Sequence, residues 1–148
     1  MRTNRRLAIL LAGLGGLAAG AALFASWNYA ADSPGPDESL STKKVMDRCY
    51  VGDQSLTKLV RRDLDRAQPD WKRAEMNVAE VIRLMSMLTR QKPPRGSQEA
   101  WNALVEGYLE KAQVLKQNVK EEKLQASRAS LQRIASTCDE CHDNHGIQ

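Results

Sequence analysis

A chain of 148 residues with 42% hydrophobic residues and a mean hydropathy of -0.52 has room for one domain and is too polar overall for a multispan membrane protein. Of its 22 basic residues three lie in residues 1–31, which hold no acid; the remainder carries 19 basic against 18 acidic residues and is almost neutral. With no basic stripe interleaved with aromatics, nucleic acid is excluded as a partner. Aromatic residues are only 5%, while Ala, Leu, Lys, Arg, Glu, Gln and Met are plentiful, a balance that predicts an all-α class.

Residues 1–31 differ in kind from the rest. Arg2, Arg5 and Arg6 make a positive start, and no charged residue follows from Leu7 to Ala31, the pattern of a signal peptide or a membrane anchor. Ala19-Gly20-Ala21 suits signal cleavage. The apolar run nevertheless continues through Leu23, Phe24 and Trp27, about the 20 residues that cross a bilayer, and Trp27 and Tyr29 stand where an interfacial belt would be. A span over residues 7–29 and a cleaved signal both leave the body on the periplasmic side, anchored to the inner membrane or soluble. Residues 32–40, DSPGPDESL, hold two prolines and a glycine and read as a linker of roughly 30 Å at full extension. The folded domain is expected over 41–148.

Four amphipathic helices are predicted there. The first runs from Ser41 to Leu64 on Val45, Cys49, Gly52, Leu56, Leu59 and Val60, with Gly52 as a kink. Pro69 suits the first position of the second, whose inner face is Trp71, Ala74, Val78, Val81, Ile82, Met85 and Leu88 and which ends near Arg90. QKPPRGS is a break, and Ser97 caps the third helix, with its stripe at Trp101, Leu104, Val105, Tyr108, Ala112, Leu115 and Val119. After a boundary between Asn118 and Lys123, the fourth stripe takes Leu124, Arg128, Leu131, Ile134, Ala135, Cys138, His142 and His145. Long helices with short connections favour an antiparallel four-helix bundle. In that topology the end of the fourth helix meets the start of the first, the end of the second and the start of the third.

The chain's last segment, STCDECHDNHGIQ, holds two of its three cysteines and both histidines. Cys138, Cys141 and His142 form C-x-x-C-H, the attachment pattern of a c-type haem. Two thiols three residues apart lie on one side of a helix, where both can add to the vinyl groups of one haem, and the adjacent imidazole can present a nitrogen to the iron. An exported body agrees with this, because haem is attached covalently outside the bacterial cytoplasm. Three other uses compete: a Cys138–Cys141 disulfide, for which a helical i, i+3 pair is poor geometry; a thioredoxin-like site, which needs a preceding strand; and zinc held by Cys49, Cys138, Cys141 and His142. No phosphate loop, Ser-His-Asp set or facing carboxylate pair is visible, so the chain is not expected to be an enzyme.

Through RASLQRIASTCDECHDNH, KPPRGSQEAW and the four-helix pattern between 41 and 145, the chain resembles the cytochrome c′ family of four-helix c-type cytochromes. The resemblance implies one covalent haem c near the C-terminus of the fourth helix, on Cys138 and Cys141, with His142 as proximal ligand. Many members carry a basic residue four positions after that histidine, where this chain has Gly146. It further implies one of two distal arrangements, a methionine from the first helix on a low-spin iron that carries electrons, or an open position that binds nitric oxide or carbon monoxide. Met46 is the candidate sixth ligand, its alternative being core filling. Tyr50 is a second candidate, as a ligand, a hydrogen-bond donor or a buried ring. Cys49 reads as a small buried hydrophobe, an intermolecular disulfide partner or a distal group. Met85 or Met87 is expected on the porphyrin, Trp101 as a plug at its edge, and His145 as a surface residue or a propionate contact. Lys43, Lys44 and Arg48 are candidates for propionates or an acidic partner, or are a solvated face. The expected partners are a membrane-bound redox complex or another cytochrome, with a homodimer possible in the family resembled.

Overall fold

A computed structural model of the protein describes residues 40–146, and every regular element among them is helical. The signal or anchor of residues 1–31 and the linker up to residue 39 lie outside the described residues. Among the described residues no helix is long and apolar enough to cross a membrane. The elements are α1 (Thr42–Tyr50), α2 (Leu56–Leu64), α3 (Trp71–Ser86) continued by a 3-10 turn (Met87–Arg90), α4 (Gln98–Lys120), α5 (Leu124–Ala135) and α6 (Cys138–His145).

The first and last of the four predicted helices are each divided in two. Gly52, with φ +81, does more than kink the first: Val51 leaves the helix in extended conformation while its N–H closes on the Asp47 carbonyl. The Thr57 hydroxyl donates to the Cys49 carbonyl at 2.7 Å, tying α2 back to α1 across the gap. The last helix stops at Ser136 and Thr137, whose hydroxyls donate to the carbonyls of Arg133 (2.9 Å) and Ile134 (2.7 Å), the competition with the helix ladder typical of short hydroxyl side chains. Pro69 stands before the cap of α3 rather than inside the helix, because the Asp70 carboxylate accepts the Arg73 N–H at 3.1 Å and starts the helix at Trp71. Ser97 caps α4 as expected, accepting from the Ala100 N–H at 3.1 Å. Between α4 and α5 the chain turns through Glu122 at φ 55.

The apolar stripes face one core. Val60 and Leu64 of α2, Ala74, Val78, Val81, Leu84 and Met85 of α3, Trp101, Val105, Tyr108, Ala112, Leu115 and Val119 of α4, and Leu131 and Ile134 of α5 are buried together. Each large side chain so buried contributes about 1.5–3 kcal/mol of transfer free energy before entropy is charged. Helix α2 packs on α3, α3 on α4, α4 on α5, and α5 returns to α2, while α1 lies against α2 and α3 and α6 against α4. The all-α arrangement is compatible with a helical bundle. One buried charge serves this packing: Asp63 is fully buried, accepts from Arg73, and takes Asn77 Nδ2 at 3.2 Å, joining α2 to α3. Arg128, placed in the apolar stripe by its spacing, instead reaches across to the Leu64 carbonyl at 3.2 Å and the Asp65 carboxylate.

Candidate functional site

The break at Ser136 and Thr137 makes the C-x-x-C-H segment a separate eight-residue helix. Asp139 and Glu140 lie in its first turn and both histidines in its last, the charge order the helix dipole favours. Gly146 closes it in left-handed conformation, with its N–H on the His142 carbonyl. Cys138 and Cys141 are free thiols, both half-buried, and Cys141 packs against the core. Burial pushes both thiols up, with neighbouring Asp139 adding to the shift at Cys138, and Cys138 and Glu140 at Cys141. His142, directly after Cys141, is exposed.

Several segments converge near α6. The side chain of Gln91, just beyond the 3-10 turn, accepts from the Thr42 hydroxyl and donates to the Leu40 carbonyl, so the start of α1 is fastened to the end of α3. Gln98 of α4 donates to the Gln91 carbonyl at 3.1 Å. Trp101, fully buried, donates its indole N–H to the Leu88 carbonyl at 2.7 Å, and its ring meets that of His145 edge to face, centroids 5.0 Å apart. Met85 is buried, Met46 and Met87 are half-buried against the core, and Cys49 is fully buried in it. Helix α6 thus touches the start of α4 and the Arg95–Gly96 segment, to which the start of α1 and the end of α3 are tied through Gln91.

Tyr50 and Tyr108 are hydrogen-bonded hydroxyl to hydroxyl. Burial pushes both phenols far up from their ordinary range, and Cys138 and Cys49 lie within electrostatic reach of the pair. The spacing puts Tyr108 in the core stripe; its hydroxyl partnership with Tyr50 has no sequence signal, because it joins residues 58 positions apart on two different helices. Burial likewise raises the Cys49 thiol to about 12, Glu80 adding to the shift and Arg48 opposing it.

One expectation is corrected. His145 is neither exposed nor free: it is 1% exposed and its Nδ1 is 2.6 Å from the Arg95 carbonyl, because Gly96 leaves room for the ring. The basic residues of α1 are all exposed: Lys43 pairs with Asp47 at 2.8 Å and Arg48 with Glu80 at 3.3 Å, and the Lys44 side chain has no partner among the described residues. A more basic surface, missed in the sequence though written there as KLVRRDLDR, is a groove along α2 lined by Lys58, Arg61, Arg62, Asp65 and Arg66.

The donor chemistry fits a covalently held haem: two uncommitted thiols one turn apart on one helical face, an accessible imidazole beside them, the Trp101 indole against His145 of the same helix, and two phenols within electrostatic reach of Cys138. No cluster of three or more His, Cys, Asp or Glu among the described residues is arranged to hold a bare metal ion. No protein-family model, curated protein or solved structure matches the chain, so the likeness to the cytochrome c′ family rests on the residues themselves.

Proposed function

We propose that the chain is an exported or membrane-tethered monohaem c-type cytochrome, built as an antiparallel four-helix bundle, that carries single electrons to or from a membrane redox complex or another cytochrome. The observation that carries this reading is α6 itself: free, half-buried Cys138 and Cys141 one turn apart, followed by exposed His142, on a helix packed against the start of α4. Cys138 and Cys141 would hold the group through thioether bonds, and His142 would supply the proximal nitrogen. When bound, haem supplies one-electron chemistry between ferric and ferrous iron. The chain supplies burial, axial ligation and orientation. Met46, half-buried on α1, is the side chain proposed for the sixth position. Trp101 and Met85 keep water from the interior at this end.

A second reading, an open iron that binds nitric oxide or carbon monoxide, is favoured by one specific observation. The Tyr50–Tyr108 pair places two hydroxyls in the interior within electrostatic reach of Cys138, and a phenol is a good donor to a bound diatomic ligand. Optical spectra of the haem-loaded chain in ferric, ferrous and ferrous-carbonyl forms separate the two. Sharp ferrous bands indifferent to carbon monoxide, and lost in Met46→Ala, support the electron carrier. A broad ferrous band with a large carbon monoxide shift, unchanged by Met46→Ala and altered by Tyr50→Phe, supports the gas-binding protein. Absence of any Soret band rejects both.

A further inference from the structure

The carbonyl of Arg95 can only accept, so His145, with Nδ1 at 2.6 Å from it, carries its ring hydrogen there and donates. The ring edge rests on the fully buried Trp101, itself fixed through its indole N–H to Leu88. Two left-handed glycines complete the contact reciprocally. A Cβ on Gly96 (φ +83) would stand 3.2 Å from His145 Nδ1 and 3.3 Å from its Cε1, tighter than ordinary packing, and a Cβ on Gly146 would collide with the Arg95 guanidinium. Each segment thus lays a side chain over the other's glycine. The opposite end of α6 is cut from α5 at Ser136 and Thr137, so the helix has no continuous neighbour to set its pitch. A neutral imidazole with Nδ1–H on a backbone carbonyl also has a fixed tautomer, with its lone pair on Nε2; this atom is buried and has no protein partner among the described residues.

We propose that His145 is the positioning residue of the haem-carrying helix: it clasps α6 to the Arg95–Gly96 segment and Trp101, and so sets how Cys138, Cys141 and His142 present themselves to the group. The inference rests on the reading of α6 as the haem helix, but the clasp itself is testable without it. The experiment is amide hydrogen exchange over 138–145 in the full chain, read by mass spectrometry beside the ferrous spectrum of the same preparation. His145→Ala should speed exchange in α6 by about tenfold relative to α4, the loss of one buried hydrogen bond and its packing, and should change the spin-state bands while covalent haem remains. His145→Asn, whose side-chain N–H can replace Nδ1–H, should restore both readouts; His145→Phe, which keeps the ring on Trp101 but has no nitrogen, should not. Gly96→Ala presses on the ring at Nδ1 and Cε1 and leaves α6 unaltered in sequence. Its effect on exchange should be non-additive with that of His145→Ala, beyond the backbone strain it carries alone. Unchanged exchange and bands in His145→Ala, or restoration by Phe as complete as by Asn, would overturn the proposal. Loosened exchange in a chain that never acquires haem would uphold the clasp and reject the haem reading.

Discussion

Cys49, Cys138 and Cys141 differ in what surrounds the sulfur. Cys49 is fully buried, and its thiol is raised to about 12, whereas the other two are half-buried on α6. In haem-free folded chain, iodoacetamide should modify Cys138 and Cys141 well before Cys49, which reacts only on unfolding; peptide mapping of a time course reads the order. Raising the folded pKa of an acid favours its neutral form, so the Cys49 contribution is fully present below about 9, the ordinary thiol value, and is lost as pH rises toward about 12. Glu80 has the opposite sign. Its hydrogen bonds with Arg83, helped by the charges of Arg83 and Arg48, hold its carboxyl below the ordinary 4.5, so its contribution is present above that value and fades as pH falls through the lowered one. Thermal melts of wild type and Glu80→Gln should therefore differ near neutral pH and converge in acid. The burial of Cys49 follows from its place in the first stripe and the Glu80–Arg83 pair from its i, i+3 spacing, whereas the Glu80 and Arg48 charges that act between α1 and α3 depend on how the helices meet. The burial of His145 is the plainest case: its spacing matches that of exposed His142, and only Gly96 and Arg95, some fifty positions earlier, decide which ring is enclosed.

Helix α2 is joined to α3 by an asymmetric ion pair, with Asp63 fully buried and Arg73 about half exposed. Removing the arginine leaves an interior carboxylate whose remaining partners are Asn77 and, at 4.0 Å, Arg66, whereas removing the aspartate leaves an arginine that water can reach. Arg73→Ala should thus cost more than Asp63→Ala in urea unfolding. Equal costs would mean that the interior site is wetter than described. At this scale much is readable from sequence. The stripes of α3 and α4, from Ala74 to Leu88 and from Trp101 to Val119, follow the helical period because a long helix packed along its length buries one face throughout. The turn between α4 and α5 also falls inside the predicted window. What the period conceals is the division of the outer helices. Gly52 announces a disturbance but not its depth, and IASTC contains neither Gly nor Pro, so the stop at Ser136 and Thr137 arises from hydroxyl-to-backbone competition that an apolar spacing does not register.

For the whole molecule, the convergence of Leu40, Gln91, Gln98 and Trp101 near α6 means that a chain leaving the N-terminal end of α1 starts close to the proposed haem site. Replacing residues 1–31 with a cleavable export signal should leave the optical spectrum intact and slow electron delivery to membranes; unchanged delivery would remove the tether from the account. The nearly neutral body still carries the basic groove of Lys58, Arg61, Arg62 and Arg66 along α2 and just past its end, and exposed Val51, Met76 and Val114 lie singly on the surface. The central claim is covalent attachment through α6. The measurement that tests it most directly is the intact mass of the exported chain, produced with haem-attachment machinery and extracted with acidified acetone. The account expects one haem to stay on the wild-type chain, and none on a Cys138→Ser, Cys141→Ser chain; a wild-type chain that emerges at its bare mass would contradict it.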